Sequence, residues 1–476
     1  NYGISTGHQL ASEAAASVLE RGGNAIDAGV AAGLALGVLH SDLVNVAGVA
    51  PIILRMADSG SVVTIDGLGT WPRAATAEFF ERECNGKIPE GILRTVVPAA
   101  PAAWITALRD FGTMSFADVA AAAIGYARDG FPVFPLFAEV VGNNQSKYRA
   151  TPASAQVYLP NGSAPEVGDI FRQTDLAASL QYMVDEEASC GGDRRDGLSA
   201  AYDAFYRGDI AQAICDYHRQ NGGFLTRGDL AAYQVRYEPP LTVQFAGVDI
   251  YCCGAWCQGV SLAQAFAMLD ADTLRSLGPN SAASIHRMTE VYKLVFADRE
   301  QYVADPAFVD VPVEEMLGKD YLAARLGLID AARAFPGMPP AGDPRTRSAT
   351  VSGVREVDPG RAPRSQVGLI SDLDTSHACV IDCYGNMFAT TPSDTSSDAV
   401  LIPGTGLCPS SRGSQSRGFR GHINSGAPGK RPRLTPNPAL ALRDGKPFFT
   451  LGTPGGEVQL QAMTQVAANI LCHGMS

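Results

Sequence analysis

The run Ala28-Gly29-Val30-Ala31-Ala32-Gly33-Leu34-Ala35-Leu36-Gly37-Val38-Leu39 constrains this chain most. It is apolar on every face, so a helix built from it has no side to offer water. It is well short of the roughly 20 residues that a membrane-spanning helix needs, and its side chains are mostly small. Such a segment reads as an interior helix packed closely on a sheet. Asn24 or Asp27, just ahead of it, supplies the acceptor for its first free amides. Upstream, residues 8–20 place Ala11, Ala15, Val18 and Leu19 on one helix face, and Arg21-Gly22-Gly23 ends that helix.

The pattern continues as strands over 51–56 and 61–65 joined by Asp58-Ser59-Gly60, then two helical segments within 101–128. Residues 145–175 are polar and broken by prolines, which reads as a long surface excursion. Further helices are expected over 174–183, 197–218, 260–269 and 282–299, with Thr226 as an N-cap and strands at 241–245 and 248–253. Residues 335–368 are rich in Pro, Gly and Arg and read as a linker. Helices, strands, helices and a strand-rich end together imply two sheets covered by helical layers.

The 476 residues are 46% hydrophobic, enough to fill a sizeable core. A net charge of -12, spread along the chain, disfavours nucleic acid or an anionic membrane as the main partner. The 10 cysteines form no disulfide framework. Cys252, Cys253 and Cys257 cluster without a second pair to complete a zinc set, so they read as buried free thiols. That leans towards a reducing compartment, with the cytoplasm favoured; the chain begins at Asn1, so periplasmic and secreted locations stay open. Gly3-Ile4-Ser5-Thr6-Gly7 matches G-x-S-x-G in letters only, because a nucleophile elbow needs a strand ahead of it.

Chemistry concentrates at Asp374-Thr375. Small polar residues there run into an apolar strand, then a turn at Tyr384-Gly385-Asn386 and a second strand. An ordinary hairpin that begins with Thr is the plain reading. A chain cut just before Thr375 is the chemical one, since the residue would then carry both a hydroxyl nucleophile and a free α-amine to serve as its base.

The order of short motifs along nearly the whole chain resembles the γ-glutamyltransferase family of N-terminal-nucleophile hydrolases, in a divergent form. Glu20-Arg21-Gly22-Gly23-Asn24-Ala25-Ile26-Asp27-Ala28 looks like the family's opening signature. Asp66-Gly67, Ala127-Arg128-Asp129-Gly130-Phe131, Phe205-Tyr206-Arg207-Gly208 and Phe296-Ala297-Asp298-Arg299 follow in order. Thr375-Ser376-His377, Asp382-Cys383-Tyr384-Gly385-Asn386, Pro428-Gly429-Lys430-Arg431-Pro432 and Gly452-Thr453-Pro454-Gly455-Gly456 complete the set. The resemblance implies a four-layer αββα sandwich (class α+β), self-cleaved between Asp374 and Thr375. Residues 1–374 would be the large subunit and 375–476 the small one, both within one domain. It also implies Thr375 as nucleophile, Ser393 as a second hydroxyl bonded to it, and the Gly455-Gly456 amides as an oxyanion hole. The plain reading of that glycine pair is a turn after a strand.

The departures bear on substrate. Where the family has an arginine for the glutamyl carboxylate, this chain has Ala77, with Arg73 nearby as a substitute. The family's acidic stretch aligns with Ser410-Ser411-Arg412-Gly413-Ser414-Gln415, so Gln415 and Arg412 stand where a carboxylate would hold an ammonium. The usual paired serines are Leu434 and Thr435, and the usual downstream asparagine is Thr395. A solvated basic loop is the plain reading of Arg412, Arg417 and Arg420. The expected function is a self-processing amidase or acyltransferase that acts on a small-molecule amide through a Thr375 acyl-enzyme, with altered specificity. An authentic γ-glutamyltransferase and a non-catalytic binding protein are the alternatives. No motif calls for a metal or organic cofactor; the partners are the two subunits of one precursor, and a homo-oligomer is compatible.

Overall fold

The computed structural model describes residues 1–351 and 374–475. The expected linker over 335–368 lies outside the described residues from position 352 onward. The strands are β1 (Gly3–Thr6), β2 (Ile52–Arg55), β3 (Val62–Ile65), β4 (Phe131–Pro132), β5 (Ile170–Phe171) and β6 (Tyr237–Glu238). They continue as β7 (Leu241–Phe245), β8 (Val248–Cys252), β9 (Ala378–Ile381), β10 (Met387–Thr390), β11 (Ala439–Arg443) and β12 (Lys446–Leu451). One antiparallel sheet has the order β1-β9-β10-β2-β3-β6, and a second has the order β12-β11-β8-β7.

Side-chain alternation explains why each central strand is buried on both faces. In β2 and β10, Ile52, Leu54 and Phe388 point into the helical layer, while Ile53, Met387 and Ala389 point at the other sheet. Across that inter-sheet layer they meet Leu440, Leu442, Cys253, Trp256, Cys257 and Leu434. The opposite face of β8 and β11, through Ile250, Cys252, Ala439 and Ala441, packs on helices Gly259–Met268, Ala282–Tyr302 and Val458–His473. Helix, sheet, sheet and helix layers thus stack in that order, which is the expected αββα sandwich.

The apolar run forms the helix Ala25–Leu39, in which every residue is buried. Asn24 caps it in a reciprocal box with Asp27. Close packing on the sheet depends on Gly29: a Cβ there would lie 2.1 Å from the Phe388 ring. His8 caps the preceding helix, Gln9–Glu20, by accepting from the Leu10 amide. Cys252, Cys253 and Cys257 are buried and free.

Two expectations change. Residues 145–175 are not a loose surface excursion: helices Gln145–Arg149 and Pro152–Tyr158 form there, and β5 pairs with β4. Tyr148 and Tyr158 stack 4.5 Å apart and are buried, so two aromatic rings outweigh a polar background. The helical stretch over 197–218 divides at Gly208 into Arg194–Tyr206 and Asp209–Gln220.

A buried ion cluster joins the Lys430-Arg431-Pro432 segment to the edge of the larger sheet. Arg431 lies 2.8 Å from each of Asp66, Glu238 and Asp305. Burial opposes its charge, but the three carboxylates prevail and hold its pKa above the usual arginine value.

Candidate active site

Thr375 stands just ahead of β9, one of the central strands of the larger sheet, and is buried with Ser376. A backbone bridge pairs it with Ser393, and the Ser376 amide donates to the Pro392 carbonyl at 3.0 Å. Ser393 is positioned from the other side by the turn at residues 46–51, its amide donating to the Val49 carbonyl at 3.1 Å. Gly48 is required in that turn because a Cβ would lie 2.4 Å from the Ser393 carbonyl oxygen. This backbone sets the two hydroxyls face to face, with Thr375 Oγ1 and Ser393 Oγ 2.8 Å apart. Thr375 Oγ1 also donates to Asp374 Oδ1 at 2.9 Å, and Ser393 Oγ donates to the Asp374 carbonyl oxygen.

Arg412 closes the group. Its Nη1 donates to Asp374 Oδ2 at 2.8 Å and its Nη2 to the Asp374 carbonyl oxygen at 3.2 Å. Nη2 also donates to Ser393 Oγ, and Nε lies 3.0 Å from Asp394 Oδ1. The Arg412 side chain is 5% exposed, so the reading of Arg412 as a solvated loop residue does not hold. That reading fits Arg420, which is exposed and pairs with Glu81, while Arg417 is partly buried against Glu300. Burial works against the Arg412 charge, yet Asp374 and Asp394 overcome it and raise its pKa. Burial likewise pushes the Asp394 carboxyl up, against the pull of Arg412.

Gln415 and Thr435 extend the network. In the amide orientation that its neighbours select, the Gln415 oxygen accepts from Arg412 Nη1 at 3.2 Å and from Thr435 Oγ1 at 2.8 Å. The Gln258 side chain then donates to the Thr435 carbonyl at 3.0 Å and to the Gly456 carbonyl at 3.5 Å. Contacts therefore run from Thr375 through Ser393, Arg412, Gln415 and Thr435 to the glycine pair. Gly455 and Gly456 have φ values of 110° and 52° and lie just before the helix Val458–His473. Among the described residues neither of their N–H groups has a protein acceptor, and neither glycine is hydrogen-bonded to Thr375.

The other expected site residues fall elsewhere. Arg73 is exposed; its backbone amide donates to Asp229, and among the described residues its guanidinium makes no hydrogen bond. Leu434 lies in the inter-sheet core. Thr395 is buried, and no hydrogen bond among the described residues joins its side chain to Thr375 or Arg412. Sequence reasoning missed Asp394 and Gln258. Asp394 had a signal, an acid directly after the expected second hydroxyl; Gln258 had none. Arg433, inside the sandwich, donates to Glu300 at 2.8 Å and was also missed. Among the described residues, no group of three or more His, Cys, Asp or Glu side chains could hold a metal ion.

Two facing antiparallel sheets between helical layers, with a threonine at the mouth of a central strand, make this an N-terminal-nucleophile hydrolase sandwich. The family profile described as gamma-glutamyltranspeptidase matches residues 11–476. The chain belongs to that family and is a self-processing amide hydrolase or acyltransferase. It is 32% identical to the acylase ACY 1 proenzyme of Pseudomonas sp. (strain SE83), covering 99% of this chain and 80% of that one. It is 29% identical to the glutathione hydrolase proenzyme of Bacillus subtilis (strain 168), covering 99% and 78%. Among solved structures, the cephalosporin acylase from Bacillus halodurans superposes with a TM-score of 0.85 at 26% identity, covering 100% of this chain and 81% of the other.

Proposed function

We propose that the chain cuts itself between Asp374 and Thr375, and that the freed Thr375 then hydrolyses or transfers the acyl group of a small amide other than a standard γ-glutamyl compound. The carrying observation is the arrangement around the Asp374 carbonyl. The hydroxyl of the next residue lies beside it, and Ser393 and Arg412 both donate to its oxygen. In the cut, Thr375 Oγ1 attacks that carbonyl carbon and passes its proton to Asp374 Oδ1, 2.9 Å away. Ser393 and Arg412 hold the negative charge that develops on the oxygen. The C–N bond then breaks, the nitrogen takes a proton to become the Thr375 α-amine, and water hydrolyses the resulting ester.

In the mature enzyme the α-amine replaces Asp374 as the base. Its ordinary pKa, near 7.7–8.0, leaves a useful neutral fraction at physiological pH. Gly455 and Gly456 have no side chains, and among the described residues their N–H groups meet no protein acceptor, which suits them to the oxyanion of the second reaction. A γ-glutamyl specificity is disfavoured by Ala77 and by the absence of a carboxylate at Gln415. The second reading, an authentic γ-glutamyltransferase, is favoured by the glutathione hydrolase among the relatives.

Denaturing electrophoresis with N-terminal sequencing tests the cut. Two fragments are expected, the smaller beginning at Thr375, and a single band after long incubation refutes the proposal. Turnover of γ-glutamyl p-nitroanilide in preference to other amides supports the second reading instead.

A further inference from the structure

Resting on the proposed cut at Asp374–Thr375, we infer that the Asp374 side chain occupies the mature enzyme's acyl-side carboxylate site. The preferred substrates are then amides whose acyl group carries a carboxylate two carbons from the scissile carbonyl, as a succinyl group does.

The geometry is that of a substrate already in place. Asp374 is the acyl half of the bond to be cut, and its carboxylate is separated from the scissile carbonyl by Cα and Cβ. One guanidinium grips both ends, with Nη1 2.8 Å from Oδ2 and Nη2 3.2 Å from the carbonyl oxygen. A paired grip of this kind fixes spacing as well as charge. The cut turns Asp374 into a chain terminus that is no longer covalently joined to Thr375. When its side chain leaves, Arg412 keeps three partners that aim it: Asp394 at 3.0 Å from Nε, the Gln415 oxygen at 3.2 Å from Nη1, and Ser393 Oγ on Nη2. The N–H groups that faced Asp374 are left inside a buried site, where an unpaired donor is costly. A substrate carboxylate takes the place that the Asp374 carboxylate held on Nη1. A γ-glutamyl group places its carboxylate one carbon farther away.

The reaction balances as an ordinary acyl transfer. Thr375 Oγ1 forms a bond to the succinyl carbonyl carbon and gives its proton to the α-amine. The C–N bond breaks as the leaving amine takes that proton, and water then releases succinate and regenerates Thr375.

The test uses the processed protein, with cleavage first verified by intact mass. Four p-nitroanilides are compared: succinyl, its neutral monomethyl ester, butyryl, which keeps the four-carbon length without the charge, and γ-glutamyl. Succinyl is expected to exceed both neutral amides by about 10- to 100-fold in kcat/KM, the usual worth of a charge-assisted contact. Arg412→Gln is expected to bring the succinyl-to-butyryl ratio close to one, whatever happens to the absolute rates, because the ratio is read within one variant. If this variant does not mature, the ester comparison on the unaltered enzyme decides alone, since it removes the charge from the ligand instead. Equal rates on succinyl and methylsuccinyl amides, a preference for the γ-glutamyl amide, or no turnover of the succinyl amide by cleaved protein each overturn the inference. Those results leave the proposed cut standing. A chain that is never cut between Asp374 and Thr375 sinks the parent reading instead.

Discussion

Removing the Ser393 hydroxyl separates catalysis from packing. In the uncut chain, Ser393 Oγ touches the attacking hydroxyl at 2.8 Å and donates to the oxygen of the carbonyl under attack. Loss of one preorganised oxyanion donor typically slows a reaction about 10²- to 10³-fold, equivalent to about 2.7–4 kcal/mol. Arg412 Nη2 remains 3.2 Å from the same oxygen in Ser393→Ala, so the lower end, about 10²-fold, is expected for the rate of self-cleavage. Stability should fall by no more than about 1–3 kcal/mol, because the hydroxyl's contacts to Thr375, Asp374 and Arg412 are each worth about 1 kcal/mol net and the backbone pairing with Val49 and Thr375 does not involve the side chain. The assay follows fragment appearance on denaturing gels from freshly purified precursor, beside a thermal melt. Ser393→Thr restores a hydroxyl and should recover most of the rate. If Ser393→Ala matures within about threefold of the unaltered chain, far below the effect of a lost donor, the hydroxyl is a packing group and the oxyanion assignment is wrong.

Burial pushes the Asp42 carboxyl from 3.8 up to about 7, with His40 4.0 Å away and its own pKa lowered to about 4. A carboxyl whose folded pKa is raised costs stability as pH climbs from the unfolded value through the folded one. Asp42→Asn should therefore match the unaltered chain near pH 4 and exceed it by a few kcal/mol at pH 8, since each tenfold change in proton affinity is worth about 1.4 kcal/mol. An equal difference at both pH values in denaturant titrations would refute this. Gly29→Ala forces a methyl into the Phe388 ring and should cost about 1–3 kcal/mol, with Phe388→Leu recovering part of it in a double-mutant cycle. Arg431→Met leaves Asp66 buried without its cation and Asp305 with only Arg236 at 3.8 Å, and should cost about 3–5 kcal/mol, read as a lower melting temperature or lost soluble protein.

The layer order was legible because it is written in periodicity. The alternation of Ile52-Ile53-Leu54 and Met387-Phe388-Ala389 is short, local and repeated, and the small-residue run beside it can only be interior. That Thr375 and Ser393 meet, with Gln415 near them through Arg412, was also expected, but through motif order rather than local physics. The placement of Arg412 was left open between a substrate-binding residue and a solvated basic loop, since a basic residue among serines and glycines looks solvated until Asp374 and Asp394 close around it. Gln258 and Arg433 depend on which distant segments meet, and nothing near them in the chain records that. Tyr148 and Tyr158 were lost for a related reason, being two rings 10 positions apart that matter only when stacked.

The strand order also bears on how the molecule would survive after the cut. Strands β9 and β10 sit between β1 and β2, and β11 pairs with β8, so both sheets are shared by the segments on either side of Thr375. Before cleavage, refolding is a one-molecule event and independent of concentration. After it, two separate polypeptides must find each other and interleave their strands afresh, so recovery becomes second order. The mature enzyme would then be protected by slow unfolding rather than by reversibility, and a diluted, heated sample should regain its fold only if it had not yet been processed.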